Sequence, residues 1–156
     1  MKTARNSLFE TNSSSIHSMS YTDNPTFELP ENTVIELKYF DDDEYSSIED
    51  MLALLSIALI WKYDFDKVYG YLNEYYINPG YSDIVDDLEL KNFKAVLNQR
   101  GMKHVEFRWN EHYGCSCDDG LMDTLHFVLK ESQKDIIDFI EHTSIEIFDR
   151  DRDIRY

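Results

Sequence analysis

The stretch RNSLFETNSSSIH, from Arg5 to His17, gathers Arg5, Ser7, Glu10, Asn12, Ser13, Ser14, Ser15 and His17, with only Leu8, Phe9 and Ile16 as large apolar anchors. Cleaving a phosphodiester without metal needs a base for the attacking hydroxyl, an acid for the leaving oxygen and donors for the charge that develops between them. His17 and Glu10 can supply the two complementary proton transfers. Arg5 suits phosphate oxygens bidentately, while Asn12, Ser13 and Ser14 supply amide and hydroxyl donors. These six are the candidate catalytic residues, and the chemistry they suggest is that of a metal-independent ribonuclease or phosphodiesterase. A serine beside His17 could instead act as a nucleophile, but three adjacent serines without a nucleophile elbow single out none. The same residue types also suit a Ser/Asn-rich turn whose side chains bond to their own backbone.

Three other constellations compete. His112, Cys115 and Cys117, with Asp118 nearby, contain zinc-ligand types, yet the spacing departs from a CxxC knuckle and no second pair exists. An exposed turn with reduced thiols is the simpler expectation, because cysteines one residue apart make a poor staple. The runs Asp41-Asp42-Asp43-Glu44 and Asp83, Asp86, Asp87, Glu89 lack the alternating ligands and glycine of a calcium loop, and read as solvated helix starts. Trp61 to Tyr76 is rich in aromatics, as a protein interface or a half-buried helix would be. No metal and no cofactor are assigned.

The elements that must position these groups are legible from periodicity and punctuation. Ser15–Tyr21 alternates as a strand does, and Asp23-Asn24-Pro25 turns the chain. Thr33–Phe40 is a second strand, ended by the acidic run. Ser46 and Glu49 form a capping box for a helix, apolar nearly all round, that reaches about Tyr63. Further helices are expected over Asp66–Ile77, over Leu88–Arg100 with Gly101 past its end, from Leu121 onward, and from a Ser132 cap to His142. His104–Trp109 alternates as a strand before a polar loop, Asn110–Gly120, and Ser144–Phe148 closes the set. Strands at both ends with helices between predict one domain over residues 1–156. Its fold class is α+β: a small, mainly antiparallel sheet with four to five helices packed on one face.

Charge bounds the partners. The chain carries 31 acidic against 15 basic residues, a formal net charge of −16 in 156 residues. Such a surface repels membranes and bulk nucleic acid and favours a basic protein partner. It could also imitate a polyanion in the nucleic-acid groove of another protein. The longest apolar run, Met51–Trp61, is too short to span a bilayer, and no apolar segment follows Met1-Lys2, so a soluble cytoplasmic protein is expected.

The string Arg5-x-Ser7-x-Phe9-Glu10-Thr11-Asn12-Ser13-Ser14-Ser15-x-His17 resembles an N-terminal signature of small proteins from phages and mobile elements of Gram-positive bacteria. Among them are anti-CRISPR proteins against type II-A Cas9, including one that truncates guide RNA. The resemblance is confined to the opening segment. It implies an accessory protein acting in the host cytoplasm against a bacterial defence nuclease or its guide RNA, with Arg5, Glu10, Asn12, the serines and His17 as the positions carried over. The acidic balance stands against guide-RNA binding, since phosphate contacts draw on Lys and Arg.

Overall fold

The computed structural model describes residues 4–5, 15–75, 84, 86–116 and 119–149. Its strands are β1 (Ala4–Arg5), β2 (Ser15–Tyr21), β3 (Asn32–Phe40), β4 (Asp43–Tyr45), β5 (His104–Cys115) and β6 (Thr143–Asp149). Its helices are α1 (Ile48–Tyr63), α2 (Phe65–Asn73), α3 (Leu88–Gln99), α4 (Asp119–Glu131) and α5 (Gln133–His142). The fold is α+β. Four strands form an antiparallel sheet in the order β1-β2-β6-β4, which joins the two ends of the described chain.

A second sheet, which the sequence reading did not foresee, pairs β3 with β5 in parallel. Thr33, Ile35 and Leu37 turn inward on β3 opposite Val105, Phe107 and Trp109 on β5, so the ribbon buries one face under helices. The other face carries Glu36, Lys38, Glu106 and Arg108 into solvent. The polar loop expected at Asn110–Gly120 is instead largely strand. The register runs from Leu37 opposite Trp109 to Tyr39 opposite Gly114, so the polar residues 110–113 are accommodated as an irregularity inside β5.

Helix α1 is the centre. Met51 through Ile60 are all buried, and each buried Leu or Ile there contributes about 1.5–3 kcal/mol relative to exposure. It begins one residue later than the capping box suggests: Ser47, not Ser46, accepts from the Asp50 amide at 3.1 Å. Asp64 ends α1 and starts α2, its side chain accepting from the Lys67 amide at 2.9 Å. Helix α2 stops at Asn73, short of the expected Ile77, because Glu74 takes a left-handed conformation and closes the end. Asn73 then turns its amide onto the open edge of β5, accepting from Val105 N at 2.8 Å and donating to Val105 O at 3.1 Å. One side chain thereby satisfies both backbone groups of a buried strand residue.

Gly101 follows α3 with φ +112°, and a Cβ there would stand 2.5 Å from the Leu29 carbonyl oxygen. That close approach seats the segment leading into β3, which Leu29 N reinforces by donating to Arg100 O at 2.7 Å. Among the described residues, no helix is long and apolar enough to cross a membrane.

Candidate functional site

Of the six candidate catalytic residues, Glu10, Asn12, Ser13 and Ser14 lie outside the described residues. His17 sits in mid-β2 opposite Ile147, on the face that points into the core with Ile145 and Ile147, and is 3 % exposed. Arg5 in β1 pairs with Met19, two positions along β2 from His17. The register thus makes Arg5 and His17 diagonal neighbours in the sheet, a relation typically spanning about 7–8 Å between backbones. A general base must come within about 2.6–3.2 Å of the proton it takes. An imidazole this enclosed meets a substrate from solvent only if the sheet opens locally.

The acidic runs are put to structural use. Asp41 accepts from Ser116 Oγ at 3.0 Å and Glu44 from Ser144 Oγ at 3.1 Å, which ties the start of β4 to the end of β5 and to β6. Asp87 caps α3 by accepting from the Leu90 amide at 3.0 Å and also receives the Tyr63 hydroxyl. Burial and that hydrogen bond to Asp87 push the Tyr63 phenol up to about 12.

Cys115 corrects the expectation of reduced thiols: it is disulfide-bonded. The chain's other cysteine, Cys117, lies outside the described residues. Among the described residues, no three His, Cys, Asp or Glu side chains are grouped to hold a metal ion.

Glu89, expected in a solvated helix start, is instead 1 % exposed in the first turn of α3 and centres a cluster that the sequence reading missed. Its Oε1 meets His126 Nδ1 of α4 at 2.6 Å and its Oε2 meets Lys62 Nζ of α1 at 2.7 Å, with Lys130 Nζ at 3.9 Å. Burial pushes the carboxyl up, but the hydrogen bonds from His126 and Lys62 together outweigh it and hold Glu89 below the usual carboxylate range. Burial likewise disfavours the Lys62 ammonium, while Glu89 and Tyr63 beside it raise its affinity for the proton further still. A signal was present: Glu89 falls on the same stripe as Phe93 and Val96, where a carboxylate needs a partner. Nothing local says which residue that partner is. The cluster pins three helices together, and its cations are already engaged by the carboxylate.

Two surfaces remain. On the first, Phe65 meets Trp109 at 4.8 Å and Phe107 at 5.6 Å between ring centroids, and Tyr69, Tyr75 and Tyr113 extend the contact. The tyrosine-rich stretch is therefore mostly the α2 face seated on β5, with Trp109 left 52 % exposed. The second is a groove of about 960 Å³ between α4, α5 and the adjoining ends of β2 and β6. Met19, Val128 and Phe139 line it, Phe127 stands over it 61 % exposed, and Asp123, Glu131, Asp135 and Asp138 edge it. Tyr21 stacks on His142 at 5.1 Å to form one wall.

No protein-family model, curated protein or solved structure matches this chain.

Proposed function

We propose that this chain is an accessory protein of phage or mobile-element origin that antagonises a bacterial defence system in the host cytoplasm by binding protein, its acidic surface docking on a basic groove of a nuclease or host factor. The resemblance of the opening segment supports the biological setting. The mode of action rests on one observation: eight of the ten Lys and Arg side chains of the described surface are spent internally. Lys38, Lys62, Lys94, Arg100, Lys103, Arg108, Lys130 and Lys134 each lie against a carboxylate of this chain. Phosphate binding depends on cations whose counterions are released to solvent. Cations already matched to carboxylates make a poor track for RNA, whereas the surplus carboxylates imitate a polyanion toward a basic protein.

The test is a titration of the purified chain against a type II-A Cas9 effector over a range of salt. A complex at low salt that dissolves as salt rises, weakens with Asp43→Lys plus Asp86→Lys and survives His17→Ala supports the reading. No complex at low salt overturns it.

A second reading, a metal-independent ribonuclease acting on Cas9 guide RNA, rests on the resemblance of the opening segment and on the β1–β2 pairing that keeps Arg5 and His17 in one sheet; it requires that sheet to open locally around the buried His17. Labelled guide RNA incubated with the chain in chelator decides it. Cleavage that disappears in His17→Gln while near-ultraviolet circular dichroism stays unchanged supports catalysis; RNA that stays intact with the parent chain ends it.

A further inference from the structure

The helix faces that form the groove alternate apolar and acidic groups. On α4, Asp123, Phe127 and Glu131 recur every fourth residue, with Val128 below them; on α5, Asp135, Asp138 and Phe139 share one side. Asp123 to Glu131 covers about 12 Å of helix axis, two turns of an incoming helix. Phe127 at 61 % exposure and Tyr21 at 37 % leave aromatic area without cover, and aromatic side chains of this kind anchor protein interfaces. The lysines of α4 and α5 match only one of the four rim carboxylates. Lys134 serves Asp138 at 3.2 Å, and Lys130 leans toward Glu89 at 3.9 Å. Asp123, Glu131 and Asp135 therefore keep the rim negative around an apolar floor.

We infer that this groove is the docking site for a basic amphipathic helical segment of a protein partner. Its apolar face would lie on Phe127, Val128, Phe139 and Tyr21, and its Lys or Arg side chains would reach Asp123, Glu131 and Asp135. The inference rests on the protein-binding reading above and names where the contact is made and what chemistry it recognises. Charge complementarity selects this occupant. A second copy of the chain would bring one acidic rim against another, and like charges across an interface oppose association. The helix-in-groove mode reads apolar anchors at i, i+3, i+4 and i+7, which matches a floor two turns long.

The test uses the full chain and a synthetic peptide with leucines at that spacing and lysines between, beside a scrambled peptide of the same composition. Binding is followed by isothermal calorimetry and by backbone amide shifts. The expected result is that the amphipathic peptide binds at least about tenfold tighter than its scramble, with shifts concentrated in Met19–Tyr21, α4 and α5. Phe127→Ala and, separately, Glu131→Lys with Asp135→Lys should each weaken it by about tenfold or more, while Glu36→Lys on the far face of the β3–β5 ribbon leaves it unchanged. Because Phe127 is largely exposed, its truncation leaves the core intact, and unchanged near-ultraviolet circular dichroism verifies this.

Equal binding of the two peptides, wild-type affinity in Phe127→Ala, or shifts outside the groove would overturn the inference. So would groove shifts that grow with the concentration of the chain alone, which would assign the face to a second copy. If the groove fails while the salt-sensitive complex with the nuclease persists and ignores Phe127→Ala, the protein-binding reading stands and only this docking site falls. Loss of both would end the two together.

Discussion

Glu89 Oε1 and His126 Nδ1 stand 2.6 Å apart, joining the start of α3 to the middle of α4 across 37 positions of sequence. Lys62 from α1 closes on the second carboxylate oxygen. Burying the carboxylate opposes this arrangement, and the two hydrogen bonds more than offset that cost.

Replacing Glu89 with Gln should therefore destabilise the fold by about 3 kcal/mol, the low end for breaking a buried pair, since Lys62 and His126 keep some access to water. Urea unfolding midpoints of the variant and the parent check this. Replacement by Leu with Lys62→Met and His126→Leu should recover much of the loss, because an apolar substitute for the whole cluster leaves no charge stranded.

Acid should act through the same carboxylate. Its folded-state affinity for the proton is depressed relative to the unfolded chain, so its contribution is complete above the unfolded carboxylate range and fades as pH falls through the folded value. The stability gap between the parent and Glu89→Gln should be constant near neutrality and close progressively below about pH 4. A gap that persists unchanged to pH 2 would contradict the assignment.

Asn73 should prove hard to replace. Asn73→Leu leaves the Val105 N–H and C=O without the side-chain amide that bonds both, which should cost about 1–3 kcal/mol. Hydrogen exchange at the Val105 amide should accelerate selectively, while Val34 on the partner strand β3 changes little.

Gly101→Ala combines a disfavoured φ of +112° with a contact of 2.5 Å to the Leu29 carbonyl oxygen. A loss of roughly 2–3 kcal/mol is expected, read as a lowered thermal midpoint. Gly101→Asn should cost less for the backbone angle but meet the same carbonyl, so it should not recover the parent midpoint.

Some of these features were legible in the residues alone because they are local. Ser132 caps α5 by accepting from the Asp135 amide at 3.1 Å, Gly101 ends α3, and β2 and β6 alternate apolar with polar residues. Caps and alternation depend on neighbours a few positions away, so α+β and the order of the longer elements followed from the sequence, while the short strands β1 and β4 did not. The opening segment was equally conspicuous, and it marked Arg5 and His17 as residues to locate.

What tertiary structure alone decided is everything that alternation and capping leave open. A period of two tells which residues of β3 share a face but not that Thr33 will lie opposite Val105 in a parallel pair. A carboxylate on an apolar stripe announces the need for a partner without naming His126. His17 looked like an accessible base among polar neighbours, yet its place opposite Ile147 puts it in the core. The groove under Phe127 likewise exists only because α4 and α5 pack beside the ends of β2 and β6. Such contacts are fixed by how surfaces fit once the chain is closed, when the gain from burial outweighs the loop entropy between distant residues.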